Sequence, residues 1–201
     1  MEKLLWAYQD VMSVDDFDLG YTNWASHVID TGDSPPLREP LRRHPQAYLE
    51  AIDEQVDQML QQEVIEPASS PWCSNIVLVR KRDNTLRVAI DYRRLNAVTR
   101  QDSYPLPRTD SCLDALNGSS WFTTIDLRAG FCQVRKDPKD ADKTAFITRK
   151  GYFRFKVLSF GLTGAPSLFQ RLMDLVLAGL TWSIALVYLD DIVIFSSSFE
   201  E

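Results

Sequence analysis

The sequence predicts an α+β fold built on antiparallel strands, and three observations predict it. Ile184-Ala185-Leu186-Val187-Tyr188-Leu189-Asp190-Asp191-Ile192-Val193-Ile194-Phe195 is two short apolar, β-branched runs around adjacent carboxylates. That is the pattern of a β-hairpin with Leu189-Asp190-Asp191 at or near its turn. Ile76-Val77-Leu78-Val79 and Leu86-Arg87-Val88-Ala89-Ile90-Asp91-Tyr92 repeat it around a basic turn over residues 80–85. Two further stretches carry apolar residues at helical spacing. Residues 46–63 place Leu49, Ile52, Val56, Met59 and Leu60 among Glu, Asp and Gln; residues 167–178 place Leu168, Phe169, Leu172, Met173, Val176 and Leu177 together.

Taken in order, residues 1–45 are acidic and end in Pro35-Pro36, Pro40 and Pro45, which predicts a loosely structured lead-in or linker. Asp30-Thr31-Gly32 is the triplet of retroviral-type aspartic proteases. Asp33-Ser34-Pro35-Pro36 follows it and no strand series surrounds it, so it reads as a turn. The helix over 46–63 closes at Pro67 and Ser69-Ser70-Pro71. After the basic hairpin, Pro105-Leu106-Pro107 makes a turn, and residues 108–116 predict a short helix. Residues 122–127 read as a strand ending on Asp126, followed by Arg128-Ala129-Gly130-Phe131, where Gly130 permits a sharp backbone change. Residues 144–148 and 151–155 predict another hairpin. Pro166 stands near the start of the 167–178 helix, which returns the chain to the Asp190-Asp191 hairpin.

Length and composition narrow the class. With 201 residues, 45% hydrophobic and 25% charged, the chain can bury a core as one domain or two subdomains. No apolar run reaches the length of a membrane span, and Met1-Glu2-Lys3 opens no secretory signal, so an intracellular protein is expected. Cys73, Cys112 and Cys132 are odd in number and far apart, which fits a reduced compartment rather than a disulfide or zinc framework. His27 and His44 are the only histidines, too few for a His-ligated centre. The net charge of −6 hides a strong asymmetry: residues 1–75 hold 4 Lys/Arg against 14 Asp/Glu, and residues 76–160 hold 17 against 9. A basic middle third is the footprint of phosphate contact or, equally, a solvated basic face.

Adjacent aspartates in an apolar hairpin repel each other and lose hydration, a situation relieved by a divalent cation or by solvation of the turn. Asp126 adds a third carboxylate at a strand end. Hard oxygen ligands of this kind suit Mg²⁺, and two such ions support phosphoryl transfer.

Seven motifs in order then resemble the reverse transcriptase family, most closely that of gypsy-type LTR retrotransposons. They are Val64-Ile65-Glu66-Pro67-Ala68-Ser69-Ser70-Pro71-Trp72, Val77-Leu78-Val79-Arg80-Lys81, Ile90-Asp91-Tyr92-Arg93-Arg94-Leu95-Asn96 and Tyr104-Pro105-Leu106-Pro107. Thr124-Ile125-Asp126-Leu127-Arg128-Ala129-Gly130-Phe131, Phe160-Gly161-Leu162-Thr163-Gly164-Ala165-Pro166 and Tyr188-Leu189-Asp190-Asp191 complete the set. His27-Val28-Ile29-Asp30-Thr31-Gly32 resembles the lead-in to the fingers in those polyproteins, which removes the protease reading.

The resemblance implies a polymerase right-hand palm, an antiparallel sheet with helices on one face, plus a fingers subdomain. It divides the chain into a lead-in over 1–45, mainly fingers over 46–115 and mainly palm over 116–201, with fingers strands interleaved around 137–160. It implies that the chain stops before the thumb, connection and RNase H domain of a pol polyprotein. By resemblance, Asp126, Asp190 and Asp191 are the catalytic carboxylates and hold two Mg²⁺ ions (or Mn²⁺), with the Leu127 carbonyl as a further ligand. Lys81 and Arg87 match residues that grip the triphosphate; Tyr188 and Leu189 would lie near the primer end and the incoming nucleotide. Phe131 matches the bulky residue that excludes a 2′-hydroxyl, or is a core aromatic, and Phe160 matches a position packed against the nucleotide. Ser159 departs from the family's usual proline. The implied activity is RNA-directed DNA polymerisation on an RNA or DNA template with primer and dNTPs, in a cytoplasmic particle or the nucleus. The competing readings are an inactive retrotransposon remnant and a nucleic-acid-binding module without chemistry.

Overall fold

The computed structural model describes residues 2–14, 18–80 and 86–199. Along the chain these form α1 (Glu2–Ala7), β1 (Thr22–His27), α2 (Gln46–Gln61), β2 (Ile65–Pro67), β3 (Asn75–Arg80), β4 (Leu86–Asp91), α3 (Arg93–Val98) and α4 (Thr109–Ala115). They continue with β5 (Trp121–Asp126), β6 (Val134–Lys136), β7 (Phe146–Thr148), β8 (Gly151–Phe155), α5 (Ala165–Val176), β9 (Ala185–Tyr188) and β10 (Asp191–Ser196). Three antiparallel units, β5-β10-β9, β2-β8-β7 and the β3-β4 hairpin, stand beside a parallel pair, β1 with β6. The α+β class holds.

Each apolar stripe read from the sequence covers one of two cores. The Ile52 and Val56 side of α2 closes over Val64, Ile65, Ile76, Phe146 and Phe153. The Phe169, Leu172 and Met173 side of α5 closes over Val187 and Ile192 of the β9-β10 hairpin, with Phe131 and Tyr92 alongside. Burying a side chain of this size stabilises by ~1.5–3 kcal/mol, so α5 is fixed to the sheet by its own periodicity. Pro166 sits in the first turn of α5, where no intrahelical N–H is needed. In β10, Ile192 and Phe195 are buried while Ile194 is 38% exposed, and β5 is exposed along its whole length. Within the described residues, helix cover is therefore on one face of this sheet.

Two expectations need correcting. The loosely structured lead-in over 1–45 does not hold for residues 22–31: β1 pairs with β6, and His27, Ile29 and Thr31 are buried. The reason is long-range and polar. The Asp140 carboxylate accepts the Ile29 N–H at 2.8 Å and the Asp137 N–H donates to the His27 carbonyl at 2.9 Å, contacts that local composition does not encode. The second concerns charge. Arg149, Lys150, Arg154 and Lys156 of the basic third pair with Asp53, Asp57, Glu66 and Glu63 of the acidic third, so much of the basic surplus is neutralised internally. Of the predicted basic turn, residues 81–85 lie outside the described residues; β2, α3 and β6, which no separate strand or helix signal marked, are short elements held by their partners.

Inside the β1-β6 pair, Lys136 Nζ lies 2.8 Å from His27 Nδ1 with both residues buried. Burial, reinforced by Lys136, draws the His27 pKa down from 6.5 to about 3. Burial likewise draws Lys136 down to about 7, opposed by Asp140. With a depressed folded pKa, the unfolded chain takes up the proton first. The stability contributed by neutral His27 is then full above about 6.5 and is lost as pH falls towards about 3. Urea midpoints measured across that window should decline on acidification, and His27→Gln should flatten that part of the profile.

Candidate active site

The β9-β10 hairpin closes with a two-residue turn, since Tyr188 pairs with Asp191 across it. Leu189 opens the turn at φ 56°. A branched side chain in the left-handed region costs ~1–3 kcal/mol and needs outside support. The turn throws Asp190 inward and leaves Asp191 as the first residue of β10. On the other side of β10, the strand register sets Asp191 directly opposite Asp126 of β5. Direct cross-strand partners present their side chains on the same face about 5 Å apart. The two predicted carboxylate sites, distant in sequence, therefore meet at one end of one sheet. The Leu127 N–H donates to the Asp190 carbonyl at 3.3 Å and continues the pairing one step past β5.

The carboxylates differ. Asp126 and Asp191 are exposed, whereas Asp190 is half-buried with its Oδ1 enclosed and, among the described residues, without a hydrogen-bond partner. Desolvation foremost, then the charges of Asp126 and Asp191, holds the Asp190 carboxyl above the usual carboxylate range. Among the described residues no three His, Cys, Asp or Glu close into a ready-made ligand cluster. The donor set itself fits a hard cation: carboxylate oxygens only, one orphaned and desolvated. The Leu127 carbonyl already accepts the Gly130 N–H at 3.2 Å and keeps its second lone pair.

Behind the carboxylates the 127–131 turn is tight. The left-handed residue is Ala129, at φ 45°, so the sharp backbone change falls there and not at Gly130. Gly130 is required for space: a Cβ there would stand 2.8 Å from Phe169 Cζ and 2.9 Å from Asp190 Oδ1. Phe131 follows, 5% exposed, stacked on Phe160 at 4.9 Å between centroids and tilted against Phe169. Phe160 is 46% exposed, and the Arg87 guanidinium lies 4.5 Å from its ring centroid. Burial pushes the Cys132 thiol up to about 11, with Arg87 drawing it down and Asp190 pushing it up. Arg87 and Asp190 are thus within electrostatic reach of one side chain.

The structure brings together Asp126, Leu127, Asp190, Asp191, Tyr188 and Leu189 on the sheet end, and links Arg87, Phe160 and Phe131 in a stack beside it. Tyr188 is 44% exposed next to Asp191. Lys81 lies outside the described residues. The residue that the sequence did not mark is Gln170, 0% exposed in α5, whose side chain reaches the hairpin turn. A lone Gln on the apolar face of an amphipathic helix was the available signal.

A family model described as reverse transcriptase (RNA-dependent DNA polymerase) matches residues 79–201. The retrovirus-related Pol polyprotein from transposon 297 of Drosophila melanogaster is 40% identical over 188 residues, which are 91% of this chain and 18% of the polyprotein. That from transposon gypsy is 33% identical over 186 residues, 90% of this chain and again 18% of the polyprotein. An RNA-directed DNA polymerase homolog of Oenothera berteroana is 46% identical over 112 residues, 56% of this chain and 79% of that protein. Among solved structures, the prototype foamy virus protease-reverse transcriptase superposes with a TM-score of 0.85 at 24% identity, over 98% of this chain and 26% of that one. The chain therefore spans about a fifth of the transposon polyproteins it resembles. Its core elements, its paired aspartates and these matches agree, and the chain belongs to the reverse transcriptase family.

Proposed function

We propose that the chain carries the nucleotidyl-transfer centre of an RNA-directed DNA polymerase, adding deoxynucleotides to a primer 3′ end. The observation that carries the reading is the strand register that sets Asp191 opposite Asp126 with the desolvated Asp190 beside them. Asp126, Asp190, Asp191 and the Leu127 carbonyl would hold Mg²⁺, or Mn²⁺ in its place. Bound there, two such ions supply Lewis-acid stabilisation of the attacking and leaving oxygens. The exposed Arg87 guanidinium offers charge-assisted hydrogen bonds to a triphosphate, and Lys81, which lies outside the described residues, would join it by the family match. Phe160 offers its exposed ring face to the nucleotide, and the buried Phe131 sets how deeply a sugar edge can settle. Tyr188 and Leu189, at the same end of the sheet as the carboxylates, would lie near the primer end and the incoming nucleotide. Fingers over 46–115 with 137–160, and palm over 116–201, are the division this reading implies.

A primer-extension assay with Mg²⁺ and an RNA template tests it. Extension lost on replacing the three aspartates with Asn supports the reading; extension unchanged by that replacement removes it. The related foamy viral enzyme has been captured with an RNA/DNA hybrid and with double-stranded DNA, so both duplexes belong in the assay as competitors. An RNA or DNA template, dNTPs and the remainder of a Pol polyprotein are the partners of this reading, in a cytoplasmic particle or the nucleus. Among the described residues no helix is long and apolar enough to cross a membrane.

Phe131 gives a graded check. Phe131→Val should relax discrimination between deoxy- and ribonucleotides, read as the ratio of kcat/KM values. The ring is buried between two aromatics, so a stability loss of about 1–3 kcal/mol should accompany it. A stability loss with an unchanged ratio would make Phe131 a packing residue only.

A further inference from the structure

We infer that Gln170 is the positioning residue of the catalytic hairpin, its buried amide fixing the Leu189-Asp190 turn and so the stance of the two aspartates; this rests on the metal-site reading above. The Gln170 side chain is completely enclosed within α5. Its Oε1 accepts the Leu189 N–H at 2.9 Å, and its Nε2 donates to the Val187 carbonyl at 3.2 Å. One side chain therefore grips the hairpin on both sides of Tyr188. Leu189 is the left-handed residue of the turn, and its N–H lies outside the strand ladder, whose last pair is Tyr188 with Asp191. Accepting from one backbone group while donating to another requires an amide: a carboxylate only accepts, and an apolar side chain does neither.

The amide is itself oriented. Asp174 Oδ1 accepts a second bond from Gln170 Nε2 at 3.1 Å, and Asp174 Oδ2 accepts the Tyr104 hydroxyl at 2.6 Å. Rotating the amide by half a turn would face its NH₂ with the Leu189 N–H and its oxygen with two acceptors, so the network admits one orientation. Arg171, the next residue, bonds both carboxylate oxygens of Asp102 at 2.7 Å and lies 5.0 Å from the Tyr104 ring centroid. The 102–104 segment is thereby fastened to the same turn of α5 that holds the hairpin. Phe169, the residue before Gln170, meets Gly130 and Phe131 on the other half of the site. Successive residues of one helix thus support both halves. The arrangement has the logic of the groups behind metal ligands, whose loss weakens metal binding about 10–100-fold without removing a ligand.

The test uses Mn²⁺ alone as probe, its dissociation constant measured by electron paramagnetic resonance, together with amide hydrogen exchange at Leu189. Gln170→Met keeps the volume and removes all three bonds. It should speed Leu189 exchange and weaken Mn²⁺ binding about tenfold. In primer extension it should lower kcat more than it raises KM for dNTP. Faster exchange with wild-type Mn²⁺ affinity would mean a packing role only, and unchanged exchange would mean no grip; either overturns the inference. Should Gln170→Met fail to fold, Asp174→Ala at a half-buried position removes one of the three bonds that hold the amide and should weaken Mn²⁺ in the same direction, by less. Wild-type affinity in that variant also overturns it. Asp191→Asn is the control: if it binds Mn²⁺ as wild type does, the metal-site reading itself fails, and if it alone loses Mn²⁺, only the role of Gln170 fails.

Discussion

Asp191→Asn is expected to lower single-nucleotide incorporation by about 10³-fold while leaving the fold intact, since metal assistance supplies several kcal/mol of transition-state stabilisation. Both halves follow from position. Asp191 is exposed, its backbone is held by pairing with Asp126 and Tyr188, and among the described residues no hydrogen bond or ion pair engages its carboxylate. Asn preserves the shape and removes the charge. Substitutions at exposed sites of this kind usually change stability by less than about 0.5 kcal/mol. Thermal unfolding should therefore be indistinguishable from wild type. Asp126→Asn should behave alike, because it holds the mirror position in the register. Incorporation within tenfold of wild type in either variant would take these residues out of the chemistry.

Gly130→Ala should cost about 10²-fold in activity, the penalty typical of displacing reacting groups by about 1 Å. The added methyl meets Phe169 Cζ at 2.8 Å, Asp190 Oδ1 at 2.9 Å and Leu127 Cβ at 3.3 Å. Each neighbour belongs to the site or its support, so whichever yields moves a functional group. Phe169 is locked against Phe131 within the core, which leaves Asp190 and Leu127 to shift. The backbone at Gly130 itself is unstrained, so the effect arises from crowding alone. Compensation should come from Phe169→Leu, which opens space on one side; a double variant no more active than Gly130→Ala would place the crowding elsewhere.

Much of the fold was written locally. The helices over 46–61 and 165–176 follow from apolar spacing, and the strands over 75–80, 86–91, 121–126, 146–148, 151–155 and 185–196 from β-branched runs between turn residues. The six-residue α3 (Arg93–Val98) and three-residue β2 and β6 were not, because elements so short take their conformation from partners: β2 from β8, and β6 from β1. The opening segment misled for a related reason. Its prolines and acids describe a linker, while Ile29 and His27 are drawn into the protein by Asp140 and Lys136, over a hundred residues away in sequence. Charge also misled in part, since a sequence total cannot tell which cations will be neutralised by acids on a neighbouring element.

For the candidate site, the sequence by itself determined which groups are present: three carboxylates, motifs in the family's order and the aromatic and cationic residues that accompany them. Residue type and local period are properties of the chain, and they survive without a fold. Only the tertiary structure decided proximity and environment. It set Asp126 opposite Asp191, desolvated one oxygen of Asp190 and left the others in water, moved the left-handed turn to Ala129, and brought a buried glutamine under the hairpin. Those outcomes depend on strand register and on how α5 packs across the sheet, and both are fixed by contacts between residues far apart in the chain.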